Sequence, residues 1–303
     1  LSLLEFDIHR VTLTTLDDQA IDTLLVFGSH GEKIISEDRL AKLRAAVVFV
    51  KHFTHLLPQS PNPELALQHF GQFLEQLFAR ADWREQLASL DRREVLEPLT
   101  RLLGVSDFLW DDFLRLQHDN LLPVLRDVDD LAGRRTREDL TRRLQQELSE
   151  LNSYSEKCDR MNEFKDREMF RIDMRHIAGR IKRFGDFSEE LTELAEAIVS
   201  VACDLTTAQL EIRHGSLSES DTAISVLALG KAGGKELGFA SDIELMFIYS
   251  GSGTTSGPDK ITAAEFYLRL VEKLTHTIHS RRKGIFELDL RLRPYGSAGP
   301  RCC

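Results

Sequence analysis

Asp242 and Glu244 stand two residues apart at the head of an apolar run, Ile243-Glu-Leu-Met-Phe-Ile-Tyr249, and Asp289 lies in a later one, Gly284-Ile-Phe-Glu-Leu-Asp-Leu-Arg-Leu-Arg293. In extended chain, alternate side chains share a face. Asp242 and Glu244 therefore point the same way. Glu287, Asp289, Arg291 and Arg293 share one face of the later run, and Phe286, Leu288, Leu290 and Leu292 take the other. If the two strands are neighbours, Asp242, Glu244 and Asp289 converge at one edge of a sheet. An all-oxygen set of this kind suits Mg²⁺, which takes carboxylate oxygens together with those of a substrate phosphate. Two such ions could hold a triphosphate and activate the attacking oxygen.

Ahead of these carboxylates lies a glycine-rich turn with two lysines, Gly230-Lys-Ala-Gly-Gly-Lys235. Gly233 and Gly234 let the backbone approach a phosphate closely, where successive N–H groups can bind its oxygens. Lys231, Lys235, Arg291 and Arg293 can neutralise phosphate charge. The spacing is neither that of a Walker A loop, which needs a Ser or Thr after its Gly-Lys, nor Gly-x-Gly-x-x-Gly. Taken singly, each element has a plainer reading: a turn, a solvated strand edge, an ion-pair ladder. Their assembly within so short a stretch points to a nucleotide and metal site. His276 and His279 have helical spacing but no third ligand near them, so they read as surface or half-buried histidines.

The elements that must position these residues follow from periodicity. Ala223-Ile-Ser-Val-Leu-Ala-Leu229 and residues 243–249 have strand length, residues 261–281 are helical with Phe266, Leu270, Leu274 and Ile278 inward, and residues 284–293 form a third strand. Strand, loop, strand, helix, strand makes a mixed α/β domain. Everything before it reads as helical scaffold, apart from residues 1–35, which are ambiguous between strand and helix. Ser36 caps a helix with Leu40, Leu43, Val47 and Val50 on one face. Asn62 with Pro63 starts the next, whose stripe is Leu67, Phe70, Leu74, Leu77 and Phe78.

Shorter helices are expected over 95–103, 106–116 and 121–127. Phe108, Leu109, Trp110, Phe113 and Leu114 are read as core rather than a partner groove. From Thr136 to Lys182 the chain reads as long, charged helix with Leu140, Leu144, Leu148 and Leu151 on one side. The run from Glu163 to Arg175 is expected to be a solvated face held by local ion pairs. Another helix starts at Ser188, carries Leu191, Leu194, Ile198, Val201 and Leu205 inward, and ends near His214. The small polar stretch 213–222 reads as a linker, dividing a helical domain, residues 1–215, from a catalytic domain, residues 216–303.

Two segments together carry a resemblance. Gly230-Lys-Ala-Gly-Gly-Lys-Glu-Leu-Gly-Phe-Ala-Ser-Asp-Ile-Glu-Leu-Met-Phe-Ile-Tyr249 and Phe286-Glu-Leu-Asp-Leu-Arg-Leu-Arg-Pro-Tyr-Gly-Ser-Ala-Gly299 resemble the nucleotidyltransferase domain of the glutamine synthetase adenylyltransferase family. That family has a Gly-Lys-x-Gly-Gly-x-Glu-Leu turn, a Ser-Asp-x-Asp pair and an Asp-x-Arg-Leu-Arg-Pro strand. Gly104-Val-Ser-Asp-Phe-Leu109 and Phe164-Lys-Asp-Arg-Glu-Met-Phe-Arg-Ile172 resemble segments ahead of that domain, so the likeness runs roughly from Asn62 to Gly299.

The resemblance implies an α+β protein whose catalytic part has a polymerase-β-like nucleotidyltransferase fold with a small mixed sheet. It implies control of glutamine synthetase by reversible AMP on a tyrosine, attached from ATP or removed by phosphorolysis to give ADP, with the PII signalling protein as a further partner. It assigns Asp242, Glu244 and Asp289 as catalytic, metal-binding carboxylates for Mg²⁺. Gly233, Gly234 and Ser241 become phosphate contacts, with Lys235, Arg291 and Arg293 beside the nucleotide. The ending from Asp289 through Pro300 looks more like the AMP-removing half. Glu244 departs from the family's Asp and reaches one methylene further, which bears on how it holds a metal. A regulatory module that binds nucleotide without turnover, or a nucleotidyltransferase acting on another protein, are the alternatives. A single catalytic copy reaching just past Asp289 reads as part of a longer protein.

Composition is that of an ordinary globular chain: 303 residues, 42% hydrophobic and 29% charged. The 49 Asp plus Glu against 39 Lys plus Arg leave a net charge of -10, which argues against a general affinity for nucleic acid or anionic membrane. No apolar run nears the roughly 20 residues that span a bilayer. The four cysteines have no disulfide or metal spacing. With no secretory signal, a cytoplasmic location is expected.

Overall fold

A computed structural model describes residues 6–16, 19–28, 30–90, 92–105, 110, 131–217, 222–239, 241–280 and 285–291. The chain forms two compact units, residues 1–130 and 131–303, and is α+β throughout.

The first unit opens with an antiparallel hairpin, β1 (Phe6–Leu16) and β2 (Gln19–Gly28), with a register shift between Ile8 and Arg10. This resolves the ambiguous start as strand. Among the described residues four α-helices follow: α1 (Glu37–Leu56), α2 (Pro63–Ala79), α3 (Trp83–Leu90) and α4 (Arg93–Leu103). The caps are those expected. Ser36 accepts from the Arg39 N–H at 3.5 Å, and Asn62 Oδ1 from the Leu65 N–H at 3.1 Å.

The buried faces differ from the expected ones. In α1 it is Ala46, Phe49, Phe53 and Leu56 that are fully buried, while Leu40, Leu43, Val47 and Val50 are only half-buried. The aromatic side chains decide this, because Phe53 stacks on Phe70 with ring centroids 3.7 Å apart. Leu67 is exposed, and Ala66 and Phe73 take its expected place in the core of α2. Trp110 is buried and donates to Gln72 Oε1 at 2.5 Å, as a core tryptophan with a polar partner. The other members of its expected cluster, and the expected helices 106–116 and 121–127, lie outside the described residues.

The second unit begins with three helices, α5 (Arg137–Ser149), α6 (Tyr154–Ile177) and α7 (Phe184–His214). Capping boxes at Thr136 and Ser153 start α5 and α6, so the expected long helix is two. α7 begins four residues earlier than Ser188 and runs for 31 residues, with Leu191, Leu194, Ile198 and Val201 buried. It stops at Gly215, whose φ of 73° is open to glycine.

Most of α6 is not a solvated face. Asn162, Lys165, Asp166, Glu168, Arg171, Asp173 and Arg175 are all buried among Phe164, Met169, Phe170, Ile172 and Met174. From Phe164 to Arg175 charged and apolar residues alternate around the helix and nearly all are packed over, while Glu156, Asp159, Arg160 and Glu163 stay exposed. Partners come from other elements: Arg175 binds Glu190 at 3.0 and 3.1 Å, and Arg135 pairs with Glu168.

A three-stranded sheet completes the unit in the order β3, β4, β5. β3 is Thr222–Ala228, β4 is Ile243–Gly251 and β5 is Leu288–Asp289. β3 and β4 pair antiparallel, β4 and β5 parallel. A single helical turn, α8 (Gly230–Gly233), joins the first two strands. α9 (Ala263–Thr277) buries Phe266, Tyr267, Leu270, Val271 and Leu274 and ends short of the expected 281. Beyond it, Ile278 is buried as well.

Candidate active site

The register of the sheet sets the site. In the parallel pair Ile243 lies beside Leu288 and Glu244 beside Asp289, so the second and third carboxylates are lateral neighbours on adjacent strands. Asp242 immediately precedes β4. Two backbone bonds lock this edge: Ile243 N–H to the Glu287 carbonyl at 2.8 Å, and Phe286 N–H to the Ser241 carbonyl at 2.9 Å.

Arg291 stands among the carboxylates. Its guanidinium binds both oxygens of Asp289, with Nε at 2.9 and 2.8 Å and Nη2 at 2.5 Å, and Nη2 reaches Asp242 Oδ2 at 4.0 Å. Asp289 Oδ1 also accepts from the Arg291 backbone N–H at 2.9 Å. The arginine holds the Asp289 carboxyl below the usual carboxylate range. In return its own proton is held more tightly, first by Asp289 and further by Asp242 and Glu244. One cation thus feels all three carboxylates.

The glycine turn lies against the same edge. Gly230 has φ of 51°, and a Cβ there would fall 1.5 Å from Glu244 Oε2, so the Glu244 side chain occupies the space a larger residue would need. The Leu229 N–H donates to the Glu244 carbonyl at 2.9 Å, tying the turn to β4. A Cβ on Gly233 would meet the Ala228 carbonyl oxygen at 2.5 Å, whereas one on Gly234 would make only ordinary contacts. The N–H groups of Gly233 and Gly234 donate within the turn, to the Leu229 and Gly230 carbonyls at 2.9 and 3.0 Å. Lys235, with φ of 56°, places Nζ 3.7 Å from Glu189 Oε1. Ser241 is buried, and its Oγ accepts from the Gly238 N–H at 3.0 Å. Arg293 lies outside the described residues.

Among the described residues, no three His, Cys, Asp or Glu side chains gather closely enough to hold a metal ion. The donor set still fits an oxygen-seeking divalent ion in type and charge. The guanidinium of Arg291 is the stand-in cation, bonded to Asp289 and near Asp242. His276 and His279 are both exposed. What sequence reading missed is Gly230, whose φ of 51° favours glycine and whose missing Cβ leaves room for the Glu244 carboxylate. A glycine immediately after an apolar strand was the available signal.

An α+β unit with a short mixed sheet, a glycine turn at one strand end and carboxylates on the two neighbouring strands is the arrangement of a nucleotidyltransferase domain. The glutamate-ammonia ligase adenylyltransferase family model matches residues 96–303, more than half of the chain. The chain belongs to that family. It is 28% identical over 256 residues to the bifunctional glutamine synthetase adenylyltransferase/adenylyl-removing enzyme of Shewanella oneidensis, covering 80% of this chain and 26% of the relative. It is 30% identical over 260 residues to the like-named enzyme of Pasteurella multocida, covering 82% and 25%. Against that of Mannheimia succiniciproducens it is 30% identical over 288 residues, covering 91% and 28%. The chain thus spans about a quarter of the length of these curated relatives. No described helix is long and apolar enough to cross a membrane.

Proposed function

We propose that this chain carries one adenylyl-transfer site acting on the AMP-tyrosine of glutamine synthetase, with residues 216–303 as the catalytic domain and residues 1–215 as a mainly helical domain ahead of it. The observation that carries this is the parallel register of Glu244 on Asp289, with the Arg291 guanidinium bonded to Asp289 and 4.0 Å from Asp242. We lean to the removing direction, in which an oxygen of inorganic phosphate attacks the AMP phosphorus, the bond to the tyrosine oxygen breaks, and ADP leaves with the tyrosine reprotonated. In the attaching direction the tyrosine oxygen would instead attack the α-phosphorus of ATP, the bond to the β-phosphate would break and pyrophosphate would leave, with the same three carboxylates as metal ligands. Asp242, Glu244 and Asp289 would hold Mg²⁺, which when bound offsets the charge of the phosphate oxygens. Arg291 and Lys235 would meet the developing charge at phosphorus, and Arg293 would share that role by the family pattern. Gly233 and Gly234 keep the turn close enough for phosphate, and Ser241 fixes the loop that aims Asp242. Glutamine synthetase, the PII protein and a cytoplasmic setting belong to this reading.

The test is phosphate-dependent release of AMP from adenylylated glutamine synthetase. Asp242→Ala should abolish it, and unchanged release would refute the assignment. A second reading, a regulatory module that binds nucleotide without turnover, is favoured by one observation: Arg291 bonds both oxygens of Asp289, the third of the carboxylates. Calorimetry with ATP and Mg²⁺ separates the two, since binding with no release or attachment of AMP supports the module.

A further inference from the structure

The buried polar residues of α6 are more than a structural curiosity, because two of them reach the segment that delivers Asp289. The Asn162 amide sits where α9 ends: Nδ2 donates to the Thr277 carbonyl at 2.9 Å and to the Cys158 carbonyl at 2.8 Å, and Oδ1 accepts from the His279 N–H at 2.8 Å. The Thr277 hydroxyl is held in turn by the Tyr154 hydroxyl at 2.7 Å. One helical turn further on, the Lys165 ammonium, on a residue only 1% exposed, donates to the His279 carbonyl and lies 3.4 Å from Asp166. It also sits 5.3 Å from the centre of the Phe286 ring.

Phe286 is where this matters. It has φ of 52°, a conformation that bulky L-residues rarely adopt and that persists only where surroundings over-determine it. Its N–H pairs with Ser241, the next residue's carbonyl pairs with Ile243, and β5 itself is only two residues long. So short a strand has too few ladder bonds to fix its own register. A desolvated ammonium is costly to bury unless it is bonded, and here it is bonded to the backbone before β5 and to the ring at its entrance.

We infer that Asn162 and Lys165 are positioning residues that fix β5 on β4 through His279 and Phe286, and thereby the place of Asp289. The consequence for metal binding rests on the adenylyl-transfer reading above; the effect on strand position does not.

Amide hydrogen exchange on the full chain tests it directly. In Lys165→Met the Ile243 and Phe286 amides should exchange at least about tenfold faster, while amides of the β3 and β4 pairing keep their rates. Apparent Mn²⁺ affinity in the presence of ATP should fall by roughly tenfold in the same variant, and Lys165→Arg should restore both readouts to within about threefold. Unchanged exchange at Ile243 and Phe286 overturns the inference, as does an equal acceleration across β3 and β4, which would mean general destabilisation. If Lys165→Met does not fold, Lys165→Gln, which keeps a donor but no charge, carries the same comparison. Should the parent chain bind no Mn²⁺ with ATP, or Asp242→Ala bind it undiminished, the adenylyl-transfer reading fails and the exchange rates alone decide the positioning role.

Discussion

Arg175 and Glu190 join α6 to α7 by two parallel hydrogen bonds of 3.0 and 3.1 Å, with side chains only 6% and 3% exposed. Arg175 also donates to the Leu131 carbonyl. Replacing Arg175 with Met leaves a carboxylate buried without its partner, a change that typically costs about 3–5 kcal/mol. For a unit of this size each kcal/mol moves the melting temperature by roughly 2–4 °C, so the loss should be roughly 6–20 °C. Removing both charges, as Arg175→Met with Glu190→Leu, should recover most of that loss, because the desolvation cost of the pair disappears with it. Thermal unfolding of the four proteins of the double-mutant cycle, followed by circular dichroism and calorimetry, reads the coupling. A single variant that loses under about 1 kcal/mol, or a double variant worse than the sum of the singles, would refute the reasoning that this pair is a desolvated brace.

Asp173 is fully buried, neither of its oxygens has a hydrogen-bond partner among the described residues, and burial pushes its carboxyl well above the usual range. The folded form then holds the proton that the unfolded chain gives up, so stability should fall as pH rises from the ordinary carboxylate value to the raised one. Asp173→Asn should flatten that slope and be the more stable protein at pH 8; identical pH profiles in denaturant unfolding would count against it. Gly230→Ala should cost about 1–2 kcal/mol for its left-handed backbone, and its Cβ, 1.5 Å from Glu244 Oε2, should drive that side chain away and weaken Mn²⁺ binding with ATP. Parent-like binding would show that Glu244 takes no part in the site.

The local features were legible because their causes are local. Ser36 and Asn62 cap helices by bonds to residues three along, and short apolar runs of strand length marked both β3 and β4. The same logic failed over 163–175, where charged residues read as a wet surface. Whether a charge meets water depends on what packs over it, and here α7, α9 and residues before α5 supply the partners. Alternation likewise predicted a long third strand over 284–293, whereas among the described residues the ladder pairs Leu288 and Asp289.

Residue order alone determined the chemical inventory of this protein: three carboxylates, a glycine turn, arginines beside them, and helices to carry them. Tertiary structure decided how they meet. Parallel pairing puts Glu244 beside Asp289, the missing Cβ of Gly230 leaves room for the Glu244 side chain, and the three-dimensional packing of α6 brings Lys165 to Phe286. Side-chain alternation is a property of one strand, but register, close approach and desolvation belong to pairs of elements far apart in the chain, and no spacing along it encodes them.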